Sequence, residues 1–545
     1  MKAKHLIFFI TVILFLSSSG ALAQRDTSKR QSIDVISAYK PVLRNAVKIN
    51  LAPGVLETDT TKPKLIYDIP ALNLFFAYQP VPLQPRTLTV DTGLQLGQRR
   101  FIKVGYGNFS TPYLNTGLSF GDGKAVLFNL YADYISSKGS IPSRDFNNFN
   151  IKAAGSYFTA ANEFYGGLGY HGRQYYQYGY DTLAFHYSKD SVSRSYRDFA
   201  IRAGFRNKVV NDLKINYDPN IEAHIFSREN AVTENNLIIT LPAELRVGES
   251  VSVKASVLAD LTNNSRQTSS GNFKTVNNLF QIAPELVYYS DKFTFHGGAL
   301  PTWDNGVLSV LPNIYGQAQL QHNILFLQAG WVGRFIKNNF RTLSSVNPYM
   351  QDPIFLLNTK EVQYYAGIKA SLSKPLNFNT KVAFITYSNM PLFVNDTLTT
   401  KGFFISNESK MNDLQIHGDV SYISQDKFTL SAAVDVNTYS SLAYNNNAWH
   451  LIPLHFTGSI RWNAFRQVLI KGDLFYFSDI PALEKNKKEI TLPSAADISA
   501  GAEFKINKSF SAWLDFNNIL NRKYERWNRY PVYGLQLIGG LIYNF

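Results

Sequence analysis

From Asp413 onward, apolar or small residues fall at every second position: Leu414, Ile416, Gly418, Val420 and Tyr422 alternate with Asp413, Gln415, His417, Asp419 and Ser421. A period of two belongs to a β-strand with one dry face. After the break Ser424-Gln425-Asp426 the pattern resumes through Phe428, Leu430, Ala432, Val434 and Val436, set against Thr429, Ser431, Asp435 and Asn437. Two such runs across so short a gap predict a hairpin. Val362 to Leu372 and Ile498 to Ile506 repeat the pattern, the latter with Asp497, Ser499, Glu503 and Lys505 on the wet side.

Carried along the chain, this reading places strands near 101–108, 112–121, 124–136, 147–158, 161–173, 195–207, 211–226, 235–247, 250–262, 275–290 and 292–303. It continues near 309–320, 323–335, 361–373, 376–388, 412–424, 427–440, 448–462, 466–478, 493–506, 509–520 and 532–545, about twenty-two in all. Every second connection is a tight turn, among them Gly121-Asp122-Gly123, Val247-Gly248-Glu249, Ser290-Asp291-Lys292, Gln321-His322-Asn323, Ser373-Lys374-Pro375, Asn463-Ala464-Phe465 and Asn507-Lys508-Ser509. The alternate connections include the long ones, near 174–194, 263–274, 336–360, 389–411 and 479–492, with shorter exceptions after strands 1, 11 and 17. A soluble β-sandwich also alternates, but it shows no such parity. Short turns on one rim and long loops on the other is the asymmetry of an outer-membrane barrel, with the short turns periplasmic.

The expected fold is therefore all-β: a transmembrane antiparallel up-and-down barrel over 101–545. Lipid offers no hydrogen-bond partner, so every strand must be paired on both edges and the sheet must close. The dry face then meets lipid and the wet face lines the lumen. There, charges of both signs such as Lys254, Lys369, Asp419, Asp435, Glu503 and Asp515 are expected mostly to pair with one another; a role in selectivity is the alternative.

Residues 1–23 read as a secretory leader: Lys2 and Lys4, an apolar run from Leu6 to Leu16, then Ala21-Leu22-Ala23 with cleavage expected before Gln24. That run is too short for a membrane-spanning helix, which needs roughly 20 residues. The absence of cysteine removes lipid attachment, disulfides and thiolate chemistry together. A formal charge of +14 is spread without any dense basic run, which suits anionic surface lipid rather than nucleic acid. The 39 Phe and 32 Tyr suit the aromatic girdles of a membrane barrel. The expected location is the cell outer membrane.

The last strand ends Leu535-Gln536-Leu537-Ile538-Gly539-Gly540-Leu541-Ile542-Tyr543-Asn544-Phe545, with Leu541, Tyr543 and Phe545 on one face. An aromatic last residue preceded by apolar residues at alternate positions is similar to the signal read by the barrel-insertion machinery. The stretch Asn517-Asn518-Ile519-Leu520-Asn521-Arg522-Lys523-Tyr524, followed by Trp527 and Tyr530-Pro531, resembles the final hairpin of TonB-dependent receptors. That resemblance implies a barrel of twenty-two strands, uptake of a nutrient and TonB as a partner. It also implies a folded plug, for which residues 24–100 are too short and too rich in proline (Pro63, Pro70, Pro80, Pro82, Pro85), so the chain resembles such a receptor with a truncated or absent plug. Within that segment, which is expected to be periplasmic or lumenal, Ile33, Asp34, Val35, Ile36, Ser37 and Ala38 are weakly similar to a TonB box; an ordinary extended segment is the alternative.

Candidate chemistry is sparse. No pair of histidines has ligand spacing, and His450 and His455 are expected on opposite faces of one strand. No nucleophile elbow or phosphate loop occurs, so neither catalysis nor a cofactor or metal is expected. Tyr175, Tyr176, Tyr178 and Tyr180, in an expected outer loop, are candidates for contact with a sugar or partner, or else extend the aromatic girdle. The functions that remain are a receptor-type transport barrel coupled to TonB or to a plug-supplying partner, a passive porin-like channel, and a structural subunit of a surface complex.

Overall fold

The computed structural model describes residues 100–545, apart from 140, 142, 210, 230, 269–270, 322–323, 374–375, 425–426 and 485–487. The expected leader, the segment 24–100 save its last residue, and the stretch Ile33–Ala38 lie outside the described residues.

Twenty-two antiparallel strands follow one another around a closed sheet. The first, Phe101–Gly107, pairs with Thr111–Gly121 on one side and with the last, Gln536–Asn544, on the other, Phe101 opposite Asn544. The seventh strand is broken into Ile215–Tyr217 and Asn220–Arg228, both laid against Val232–Val247. The break falls at Asp218-Pro219, where proline cannot donate to a ladder. Closure leaves no edge within the bilayer span, as the missing hydrogen-bond partners there require.

The alternation sorts the side chains as expected. Ile102, Val104 and Tyr106 are exposed on the outer face while Lys103 between them is buried. Leu541, Tyr543 and Phe545 are likewise exposed, with Tyr543 stacked on Phe545 and tilted against Phe510. The lumenal charges pair: Lys103 with Asp515 and Glu503, Lys471 with Glu503, Lys254 with Glu244, and His417 with both Asp419 and Asp435.

At the seam between first and last strands, Trp513 reaches across. Its Nε1–H donates to the Val104 carbonyl (3.1 Å), over Gly105 and Gly540. A Cβ on Gly540 would lie 1.9 Å from the Val104 oxygen and one on Gly105 2.4 Å from the indole, so the clasp depends on both glycines.

Two expectations are corrected. The loop near 263–274 is instead strand: Val251–Thr268 and Gly271–Tyr289 run on, with Thr268 opposite Gly271. Above the bilayer the outer face is free of lipid, where Asn263 and Ser265 stand, while on the inner face Asn264 is buried against Glu234 and Arg266 reaches Asp352, so the strand persists while the apolar alternation is lost. The strand expected over 448–462 begins only at Leu454. Upstream the chain turns through His450 at φ 57° and Pro453, so His450 and His455 do not share a strand.

The long loops carry structure of their own. Hairpins form from Met390–Asn395 with Phe403–Glu408, from Ile480–Leu483 with Glu489–Leu492, and from Glu525–Trp527 with Tyr530–Pro531. A short helix, Phe340–Val346, is capped at Asn339, whose side chain accepts from Thr342 N (2.8 Å) while Thr342 Oγ1 accepts from Asn339 N (3.0 Å).

Candidate functional site: the capped rim

The seven long connections of one rim, 138–145, 177–192, 337–358, 389–410, 441–453, 478–494 and 518–535, fold toward one another. Those after the fifth and fifteenth strands start ten strands apart, nearly opposite on the ring, yet they touch: Asp181 N donates to Thr400 Oγ1 (3.0 Å) and Tyr187 OH to Thr399 O (3.1 Å). Loops anchored that far apart can meet only across the mouth.

Their hub is 525–533. Arg144 Nη1 donates to Val532 O (3.1 Å), and Tyr178 OH to Pro531 O (3.0 Å). Tyr349 stacks on Tyr530 with centroids 3.9 Å apart. Asn528 Nδ2 donates to Asn395 Oδ1 (2.9 Å), Arg526 Nη2 to His450 O (2.8 Å) and Arg529 Nη2 to Glu484 Oε1 (2.8 Å). One nine-residue stretch thus touches each of the other six long loops. Around it an apolar core forms from Tyr175, Tyr196, Phe226, Phe340, Met350, Phe403, Trp527, Tyr530 and Tyr533. Buried aromatic rings contribute large apolar areas, and edge-to-face pairs such as Phe393 on Trp527 add to them.

Burial sets the protonation of the cap. Burial first, then the neighbouring tyrosines, raises the hydroxyls of Tyr349 and Tyr530 well above their usual range, so both stay neutral. His450 is lowered to about 3, by burial first and then by the Arg526 guanidinium. Its hydrogen bonds fit the neutral ring: Nδ1 lies 2.7 Å from the Phe393 carbonyl and acts as donor, while Nε2 accepts from Asn528 N (3.4 Å). A second proton would displace that acceptor. Burial raises the Glu408 carboxyl, but the N–H groups of Asn445, Tyr444 and Ala443 and the Asn445 side chain outweigh it and hold the group below its usual range.

Tyr175 and Tyr176 end the fifth strand, and Tyr178 and Tyr180 open the loop after it. Tyr175 is 5% exposed, and both it and Tyr178 set their rings edge-on to Tyr349 inside the cap, so these two do not offer a free outer surface. Tyr176 and Tyr180 are half-buried, with Tyr180 against Tyr187. The hub role of 525–533 has no counterpart in the periodicity, although Trp527 and Tyr530-Pro531 stand out in the sequence. Among the described residues no group of three or more His, Asp or Glu is placed to hold a metal ion.

Fold and rim together define a closed antiparallel barrel of the outer-membrane type, capped on its long-loop side. No family model and no curated protein matches the sequence. Solved structures do match in fold. The FrpB iron transporter from Neisseria meningitidis (F3-3 variant) aligns with a TM-score of 0.63 at 10% identity, over 82% of this chain and 81% of that one. The ferric enterobactin receptor PfeA aligns at 0.61 and 10%, over 82% and 81%. The ferric-catecholate import receptor Fiu from E. coli K12 aligns at 0.61 and 10%, over 82% of each chain. The fold is that of TonB-dependent receptor barrels, and these neighbours are named as transporters and receptors rather than enzymes.

Proposed function

We propose that this chain is an outer-membrane receptor barrel that takes up a nutrient, coupled to TonB or to a partner that fills the lumen. The observation that carries the reading is the interlocked rim. A passive channel needs an open aqueous path, whereas here loops from opposite sides meet on one buried hub. In this reading residues 1–23 export the chain, Ile33–Ala38 engage TonB, and Leu541, Tyr543 and Phe545 are read by the insertion machinery. Of the four tyrosines at 175, 176, 178 and 180, the half-buried Tyr176 and Tyr180 are the two left to meet a ligand or partner.

The test combines transport and conductance. A strain lacking the chain loses uptake of its nutrient, the full chain restores it, and a chain lacking residues 33–38 does not. The purified full chain in a planar bilayer passes no steady current. A large, stable current from the intact chain would overturn the reading in favour of a passive channel.

A further inference from the structure

Between the seventh and twelfth strands the rim has no long loop. Instead the strands Val251–Thr268 and Gly271–Tyr289 rise as one tall hairpin, paired up to its tip. The neighbouring hairpin is shorter, and its uppermost pair with this wall is Leu279 opposite Asp304. Its turn closes on Asn278: Asn305 N donates to Asn278 O (2.8 Å) and Asn278 N to Asn305 Oδ1 (2.7 Å). Above that point residues 272–277 carry a ladder on one side only.

Asn278 turns its N–H and C=O toward the open side. Main-chain groups alternate along an antiparallel strand, so those of Asn272, Lys274 and Val276 face the same way. Among the described residues no hydrogen bond meets them. At about 3.3 Å per residue, the open edge runs about 20 Å above the level at which the neighbouring hairpin ends. Phe273 and Val276 are 47% and 65% exposed. Behind the edge runs the segment 352–358, fixed by Arg266 Nη1 to Asp352 O (3.3 Å) and by Asn358 Nδ2 to Asp304 (2.7 Å), and it leaves Ile354 and Phe355 exposed. Open edges of this kind are usually blunted by proline, a bulge or inward charge. Here Lys274 is the one blunting residue, and it has no ion pair among the described residues.

We propose that this edge is a docking site for an extended segment of a second protein, which adds a strand antiparallel to residues 272–277. Strand addition takes affinity from main-chain hydrogen bonds and specificity from alternate side chains. Val276 and Lys274 share the outer face of the edge strand and Phe273 lies on the opposite face, so the segment that fits sets an apolar residue and a carboxylate on the outer face, to meet Val276 and Lys274, and an apolar residue on the other face beside Phe273. A second copy of this chain does not fit. Copies inserted in one membrane share their orientation, so a two-fold axis along the membrane normal keeps the vertical direction of each strand and cannot make two equivalent edges antiparallel.

Val276→Pro removes an edge N–H while leaving the groups of Thr275 and Asn277 that face the tall hairpin. Val276→Thr keeps that N–H and serves as control. Barrels are extracted from native membranes in mild detergent, and the size and stoichiometry of the complex are measured. The wild type and Val276→Thr carry a stoichiometric second polypeptide, Val276→Pro loses it while the barrel stays folded, and Lys274→Glu weakens it about tenfold, which is about 1.4 kcal/mol. Should Val276→Pro fail to fold, amide exchange decides: Lys274 and Val276 exchange more slowly in the wild-type complex than in the isolated barrel. A wild-type barrel that comes out of native membranes alone, a folded Val276→Pro complex indistinguishable from wild type, or unslowed exchange would each overturn the proposal.

Discussion

Two arcs of the same rim solve the problem of the barrel mouth in opposite ways. Residues 220–321 build a wall, with long strands joined by tight turns such as Asn305-Gly306. Residues 325–535 contribute five of the seven long loops, which lean inward and knit together around 525–533. The wall takes its order from ladder hydrogen bonds and local turn chemistry, and the loop arc from a buried aromatic core assembled at long range. The two meet where Glu234 of the wall accepts from Phe340 N (2.7 Å) and Arg341 N (3.1 Å), and where Arg228 pairs with Asp352. Order that rests on local pairing survives local change; order that rests on one shared core fails as a unit.

The largest effect follows from emptying that core. Tyr530→Ala leaves a cavity under Tyr349, Tyr178 and Phe403, and truncations of buried aromatics cost about 3–5 kcal/mol. Limited proteolysis should cut the loops in this variant while the strands remain protected.

Glu234→Ala sharpens the comparison at the junction. It leaves two helix N–H groups without their acceptor, at about 2 kcal/mol, and should free 340–346 from the wall without melting the ladder. Hydrogen exchange confined to that segment would confirm it.

The next effect is one of pH. His450 has a lowered pKa in the folded cap, about 3 against an ordinary 6.5, so the unfolded loop binds the proton first. The sign follows: nothing changes above pH 6.5, and below it the cap loses about 1.4 kcal/mol per unit until the pH nears 3. Loop proteolysis followed from pH 7.5 to 5.5 should accelerate in the wild type and less in His450→Gln, while the wall shows no such trend from this group.

The smallest effect belongs to the wall. Asn305 sits at φ 49° in its turn, beside Gly306 at 87°. Asn305→Ala forces a Cβ into the left-handed region without the local polar compensation, at about 1 kcal/mol, and thermal unfolding should register a small shift with the loops unaffected.

What could be read from the residues divides along the same line. Strand count, facing and turn parity are written in a period of two and in turn residues, both local, and the structure follows them from Phe101 to Phe545. The wall top reads as a loop because Asn263 to Arg266 are polar on both faces, water outside and the polar partners Glu234 and Asp352 inside, which erases the alternation without ending the strand. The cap was illegible for a different reason. Tyr178, Met350, His450 and Tyr530 lie far apart in sequence, and no period links them. Trp527 and Tyr530-Pro531 stand out in the sequence through the resemblance to a final hairpin, but their place at the centre of six other loops is a property of the closed ring. His450 falls within the strand expected over 448–462 because Trp449 and Leu451 flank it as strand residues would, and Pro453 marks where that expectation fails.

The closed rim can be tested by chemistry that the native chain lacks, since it contains no cysteine. Ser344 is fully buried beneath the cap, whereas Leu398 is 77% exposed on it. A membrane-impermeant maleimide applied to intact cells should label Leu398→Cys rapidly and Ser344→Cys hardly at all, with Ser344→Cys becoming reactive once Tyr530→Ala is added. Labelling of Ser344→Cys at the rate of Leu398→Cys in the otherwise native chain would contradict a closed rim.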